Sequence, residues 1–213
     1  MPEIGDVFIF FIVLLYHTLF YPVGFLEGWQ LCYNFSMKLY LARHGQTDWN
    51  LEHRAQGQVD IPLNETGIKQ AEELREKLKS YHFDICYASP LSRAAETAKI
   101  AVDGQCEIIF MDDLKERYFG SLEGSDPKTW TMDDYDRRIN SNEGGIEPIK
   151  DLLARSKRAL EKIKAENSPD SSVLIVAHGS FLKTMHFNIV GYDDDTDFWS
   201  FSLENGEIKE YEV

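Results

Sequence analysis

The chain has 213 residues, 43% of them apolar and 27% charged, which suits one domain with a substantial core. Its formal charge is −14, and after residue 36 there are 33 acids against 22 bases, so its surface repels nucleic acid and anionic membranes. Three cysteines, Cys32, Cys86 and Cys106, at no CxxC spacing, speak against a disulfide framework or a cysteine zinc site.

The first stretch, Val7 to Leu26, carries no charge and reaches the length of a membrane span, although Pro22 and Gly24 interrupt its far end. Glu3 and Asp6 stand where a signal peptide would carry its basic region. Two readings of residues 1–36 stay open: a membrane anchor, or an upstream extension of a domain, 37–213, that starts at Met37. With Lys38 and Arg43 on its C-terminal side, an anchor would tether that domain to the inner face of the membrane. Either way the domain is expected in the cytoplasm.

KLYLA (38–42) is β-rich and ends in a polar loop, as a buried strand does. Residues 67–80 predict a helix with Ile68, Ala71, Leu74 and Leu78 on its buried face. FDICYAS (83–89) predicts a second strand, the Ala-rich stretch 91–102 a helix, and CEIIFM (106–111) a third strand. From Asp112 to Gly145 the pattern is irregular, aromatic and acidic, like an inserted lid. A long helix from Glu147 to Asn167, the apolar strand SVLIVA (172–177), a helix over 180–190 and a final hairpin turning at Asn205-Gly206 complete the chain. Strands alternating with helices imply an α/β sandwich with a mainly parallel sheet.

In such a sheet, ligands bind just past the C-terminal strand ends. Those positions hold Arg43-His44-Gly45, then Ser89 with Arg93, then Glu116, then His178-Gly179. Taken singly, each has an ordinary structural explanation. Two arginines, two histidines and one carboxylate at one end of a sheet suit a phosphoryl group, because guanidinium forks match phosphate oxygens and imidazole attacks phosphorus. A zinc site on the two histidines is the competing reading. The flanking arginines oppose a cation, and no cysteine or second carboxylate stands nearby. His53, His82 and His186 lack such neighbours and read as structural.

LARHGQTDWN (41–50), ASPLSRAAETA (88–98), ERYFGSLEG (116–124) and VAHGS (176–180), in this order, resemble the four blocks of the histidine phosphatase, or phosphoglycerate mutase-like, superfamily, in its compact phosphatase branch. The resemblance implies a three-layer α/β sandwich with a mostly parallel six-stranded sheet and a short lid over the site. It makes His44 the nucleophile and Glu116 the proton donor. Arg43, Arg93 and His178 become a phosphate clamp of three cationic groups, which Asn50, Gln56 and Gly179 join. No metal or organic cofactor is implied. Before the long helix the chain reads GGIEP (144–148) where many relatives have Gly-Gly-Glu-Ser, so Glu147 receives no role.

The expected activity is hydrolysis of small phosphomonoesters through phosphohistidine, with a small-molecule substrate and no nucleic-acid partner. A membrane is a partner only if 7–26 is an anchor. A cofactor-dependent phosphoglycerate mutase is the first alternative. A non-catalytic phosphate-binding module is the second, and it would expect His44 or Glu116 to be missing. In the lid, 125–145, Trp130, Tyr135, Arg137 and Arg138 are candidates for substrate contact among Asp133, Asp134 and Asp136.

Overall fold

The structure, a computed structural model, describes residues 36–129 and 143–213. The readings of the apolar stretch 7–26 and of Trp130, Tyr135, Arg137 and Arg138 fall outside these residues. Among the described residues, no helix is long and apolar enough to cross a membrane.

In chain order the elements are β1 (Lys38–Arg43), α1 (Asp48–Leu51), α2 (Glu65–Leu78), β2 (Ile85–Ala88), α3 (Ser92–Val102), β3 (Glu107–Phe110), α4 (Ile149–Glu166), β4 (Ser172–Ala177), α5 (Gly179–Val190) and β5 (Ile208–Glu212). Short 3-10 turns fill the lid region at Asp112–Leu114, Gly120–Leu122, Pro127–Thr129 and Glu143–Gly145.

Strand alternation builds the layers. Leu39 and Leu41 of β1, with Val173, Ile175 and Ala177 of β4, face α4 and α5, where they meet Leu152, Ile163, Phe181 and Met185. Tyr40, Ala42, Leu174 and Val176 point the other way, onto Leu74 and Leu78 of α2 and Ala94, Ala98 and Ala101 of α3. The small alanines of α3 let it lie close to the sheet, which carries its N-terminal Arg93 down to the strand ends. Truncating a fully buried residue such as Ile163 to Ala would cost roughly 2–5 kcal/mol.

The strand order is β3-β2-β4-β1-β5. The first four strands are parallel, and β5 runs antiparallel to β1. The described sheet therefore has five strands where the resemblance implies six, and its last turn is not a hairpin within the sheet. Glu204–Glu207 does make a turn, closed by Glu207 N–H to the Glu204 carbonyl at 3.0 Å, with Gly206 at φ +75. The arm before that turn is occupied otherwise: the Leu203 carbonyl accepts from Arg43 Nη1 at 2.7 Å, and Phe201 stacks on His186.

Two boundaries also moved. The helix α2 starts at Glu65 under an Asn64 cap, and its buried stripe is Gly67, Ala71, Leu74 and Leu78. Ile68, predicted inside, is 37% exposed because it lies a quarter-turn off that stripe. Pro148 caps α4, so Glu147 lies before the helix rather than in it.

Candidate active site

Register decides what meets. Arg43 of β1 pairs with Ala177 of β4, and Ala88 of β2 pairs with Val176, so the three chains leave the sheet at one level. Backbone bonds continue the ladder into the loops: His44 N–H to the Ala177 carbonyl and Ser89 N–H to the Val176 carbonyl, both at 3.0 Å. His44 and His178 are thereby neighbours, with ring centroids 5.1 Å apart.

The loop after β1 is seated tightly on α2. A Cβ at Gly45 would collide with the Gly67 carbonyl, and one at Gly67 with the Gln46 carbonyl, so both positions need glycine. The Gly45 N–H donates to Thr97 Oγ1 at 3.0 Å, and Asn205 Nδ2 donates to the His44 carbonyl at 2.9 Å.

His44 Nδ1 lies 2.6 Å from the Gly45 carbonyl. A carbonyl can only accept, so Nδ1 carries the hydrogen and Nε2 keeps its lone pair. Burial, then Arg93, then Arg43 hold the imidazole well below its usual pKa, against the raising effect of the Gly45 bond. The ring is neutral at physiological pH and has one nucleophilic atom, Nε2.

His178 is also fully buried, and burial followed by Arg93, His44 and Arg43 pushes its pKa well down. The sequence reading makes His178 a third cation; in the folded site it is neutral. Its tautomer follows from counting hydrogens. His178 Nε2 is 2.8 Å from Ser89 Oγ, which also accepts the Leu91 N–H at 3.3 Å. Ser89 is completely buried, and its own hydrogen has an acceptor only if it points at Nε2. Nδ1 is then the protonated nitrogen, and it has no partner.

Among the described residues three more buried polar atoms are unpartnered: Arg43 Nε, Arg93 Nε and Gln56 Oε1. Native structures rarely leave such atoms unmatched, since each costs about 1–3 kcal/mol. All four belong to residues the sequence marks for phosphate. Arg93 is otherwise held by the Val59 and Gly57 carbonyls at 3.0 and 2.8 Å, and burial lowers its pKa to about 10, so it stays a cation.

Arg43, His44, Asn50, Gln56, Arg93 and Glu116 line one cavity of about 230 Å³. Asn50 Oδ1 takes the Thr47 N–H and hydroxyl at 3.1 Å, which leaves Nδ2 as its side-chain donor. Gly179 lies instead in an adjoining chamber, where a Cβ would press on the Arg43 guanidinium at 3.4 Å. Glu116 Oε1 accepts the Arg117 and Phe181 N–H groups at 2.8 and 3.0 Å, while Oε2 accepts only that of Ser180, at 3.1 Å. Glu116 thus caps α5, and Oε2 is the less engaged of its two oxygens.

Sequence reasoning missed several positions. Arg54 is a third guanidinium lining the cavity beside His44, stacked 4.1 Å from the Trp49 ring and bonded to the Gly124 carbonyl. Asn205 reads from sequence as a turn residue, and nothing local marks it as a support for the His44 backbone. Thr97 could have been found, because it lies one turn after Arg93 on the same helix face. Glu147 has a structural role after all. Its carboxylate receives Arg155 Nε and Nη2 at 2.9 and 2.7 Å, and Arg155 also bonds the carbonyls of Asp113, Lys115 and Glu116.

The family model of the histidine phosphatase superfamily (branch 1) matches residues 39–213. The chain is 37% identical to the uncharacterized phosphatase PhoE of Bacillus subtilis, over 81% of this chain and 93% of that one. It is 31% identical to the 2,3-bisphosphoglycerate-dependent phosphoglycerate mutase 2 of Gloeobacter violaceus, over 69% and 73%. A crystal structure of phosphoserine phosphatase from Entamoeba histolytica in complex with 3-phosphoglyceric acid superposes with a TM-score of 0.70 at 31% identity, covering 82% of this chain and 89% of that one.

Proposed function

The chain belongs to the histidine phosphatase superfamily (branch 1), and on that footing we propose that it hydrolyses small phosphomonoesters through a phosphohistidine formed on His44. The observation that carries this reading is the set of four buried, unpartnered polar atoms, on Arg43, Gln56, Arg93 and His178, beside a histidine with a single nucleophilic nitrogen. A phosphoryl group satisfies all four, with the Gln56 amide turned so that its Nε2 faces the oxygens.

His44 Nε2 attacks phosphorus in line with the ester oxygen, which leaves with the proton of Glu116 Oε2. Arg43, Arg93, Asn50 and neutral His178 Nδ1–H donate to the equatorial oxygens, where charge is spread in the transition state. Glu116, now a carboxylate, takes a proton from the water that attacks phosphohistidine, and inorganic phosphate leaves. Acid–base help of this kind contributes on the order of 10²–10⁴ in rate.

Hydrolysis is favoured over mutation by the lid. A mutase must exclude water until the phosphoryl group returns to a second hydroxyl. Glu116 and His178 are only 62 positions apart, and α4 and β4 take up much of that span. The test is phosphate release from a panel of phosphomonoesters. It includes p-nitrophenyl phosphate, and also phosphoserine and 3-phosphoglycerate because the names of relatives point to them. Inorganic phosphate is the expected product, with no strong stimulation by 2,3-bisphosphoglycerate. Efficient conversion of 3- to 2-phosphoglycerate with little phosphate released would make the enzyme a mutase.

A further inference from the structure

Past Glu116 the phosphate cavity adjoins a second chamber of about 280 Å³, and Arg43, Glu116 and Ser180 line both. An alcohol leaving past Glu116 therefore enters this chamber. Its walls are largely apolar, with Phe119, Ile149, Leu152, Phe198 and Leu203. Two further cations reach it. Arg117 is tied through Nε to the Glu147 carbonyl at 2.7 Å.

Lys183 is placed differently. It lies four positions after Gly179 on the same face of α5, about 6 Å farther along the axis. Its backbone position therefore lies one turn beyond Gly179, against which the Arg43 guanidinium packs. The side chain is half-buried, and Nζ sits 4.4 Å from the Trp199 ring centroid. Among the described residues no carboxylate lies within ion-pairing distance of it. Asp197 attracts it most strongly, but Asp197 Oδ1 caps its own turn through the Trp199 N–H at 2.8 Å. Burial accordingly draws the Lys183 pKa down. An ammonium drawn partly out of water in an apolar chamber calls for an anion.

We infer that Lys183 is a specificity-determining residue that pairs with a carboxylate on the leaving alcohol, while Trp199 covers that alcohol's apolar body. The inference rests on the phosphatase reading and narrows it to esters whose leaving group is a short chain or ring ending in a carboxylate.

The test compares meta-carboxyphenyl phosphate with meta-carbamoylphenyl phosphate, a neutral ester of the same shape, on the full chain. The unmodified enzyme should favour the carboxylate by about tenfold or more in kcat/KM, mainly through KM, as expected for a hydrogen bond between charged groups. Lys183→Met and Lys183→Gln should bring the ratio of the two esters close to one, and Lys183→Arg should keep most of it. The ratio cancels any general effect of a substitution on the site. Turnover of both esters at equal efficiency, or a preference that survives Lys183→Met, overturns the assignment and leaves the phosphatase reading standing. Turnover of neither ester overturns both.

Discussion

Arg43 and Arg93 stand beside two histidines that the proposed mechanism needs neutral, one to attack and one to donate, and the site secures each tautomer with a different partner, an acceptor for His44 and a donor for His178. For His44 the Gly45 carbonyl leaves no choice. For His178 the choice rests on a single hydroxyl, that of Ser89. Ser89→Ala removes it, leaves Nε2 without a partner and frees the ring to place its proton there, turning a lone pair toward the phosphate oxygens. The expected loss in kcat/KM is about 5- to 100-fold. Ser89→Thr, which keeps the hydroxyl, should recover part of it. Nitrogen chemical shifts of His178 report the tautomer directly: Nδ1–H in the parent, a mixture in Ser89→Ala. An unchanged tautomer in that variant would mean that Ser89 only fills space.

Between elements, Arg155 of α4 holds the loop that carries Glu116. All its donor groups are engaged, on three loop carbonyls and on Glu147, and the ion pair is largely buried, with side-chain exposures of 12% and 16%. Arg155→Met strands the Glu147 carboxylate as well as the carbonyls, and losing one partner of a buried pair costs about 3–5 kcal/mol. Adding Glu147→Gln should restore part of that stability, because no unpaired charge then remains. Denaturant unfolding of the single and double variants checks this; strict additivity would show that the pair is not coupled. The buried strands β1 and β4 and the Ala-rich face of α3 were legible in the sequence, because local apolar patterning decides them, whereas α4 starts after Pro148, two residues later than the pattern predicts. The Arg155 network was not. Its partners lie 8 to 42 positions away and are mostly backbone carbonyls, which a residue pattern does not display. That the described residues form five strands rather than six has the same origin, since the arm before Asn205 is occupied by Arg43 rather than by a ladder.

At the scale of the whole molecule, the site constrains stability as well as activity. In the unfolded chain His44 and His178 take up protons near the ordinary value of about 6.5, whereas the folded chain holds both well below it. As pH falls through 6.5 the unfolded state therefore binds more protons than the native state, and stability drops. The slope is up to about 1.4 kcal/mol per pH unit for each histidine, until the native pKa values are reached. Above this range neither contributes a slope. Unfolding measured from about pH 7.5 to 5 should show this fall, and His44→Asn with His178→Asn should flatten it; an unaltered slope would assign the acid sensitivity elsewhere.

The convergence of His44, Arg43, Arg93 and Glu116 could be anticipated because parallel strands deliver their ends to one edge. The neutral state of His178 could not, because it depends on burial that only the folded chain shows. The central claim, a covalent phosphoryl group on His44, is tested most directly by mixing enzyme with a radiolabelled phosphomonoester, quenching in alkali within one turnover and mapping the label. The account predicts an alkali-stable, acid-labile label on His44 that decays as phosphate is released and is absent from His44→Ala. An unlabelled parent enzyme that still releases phosphate, or a label that persists in His44→Ala, would contradict it.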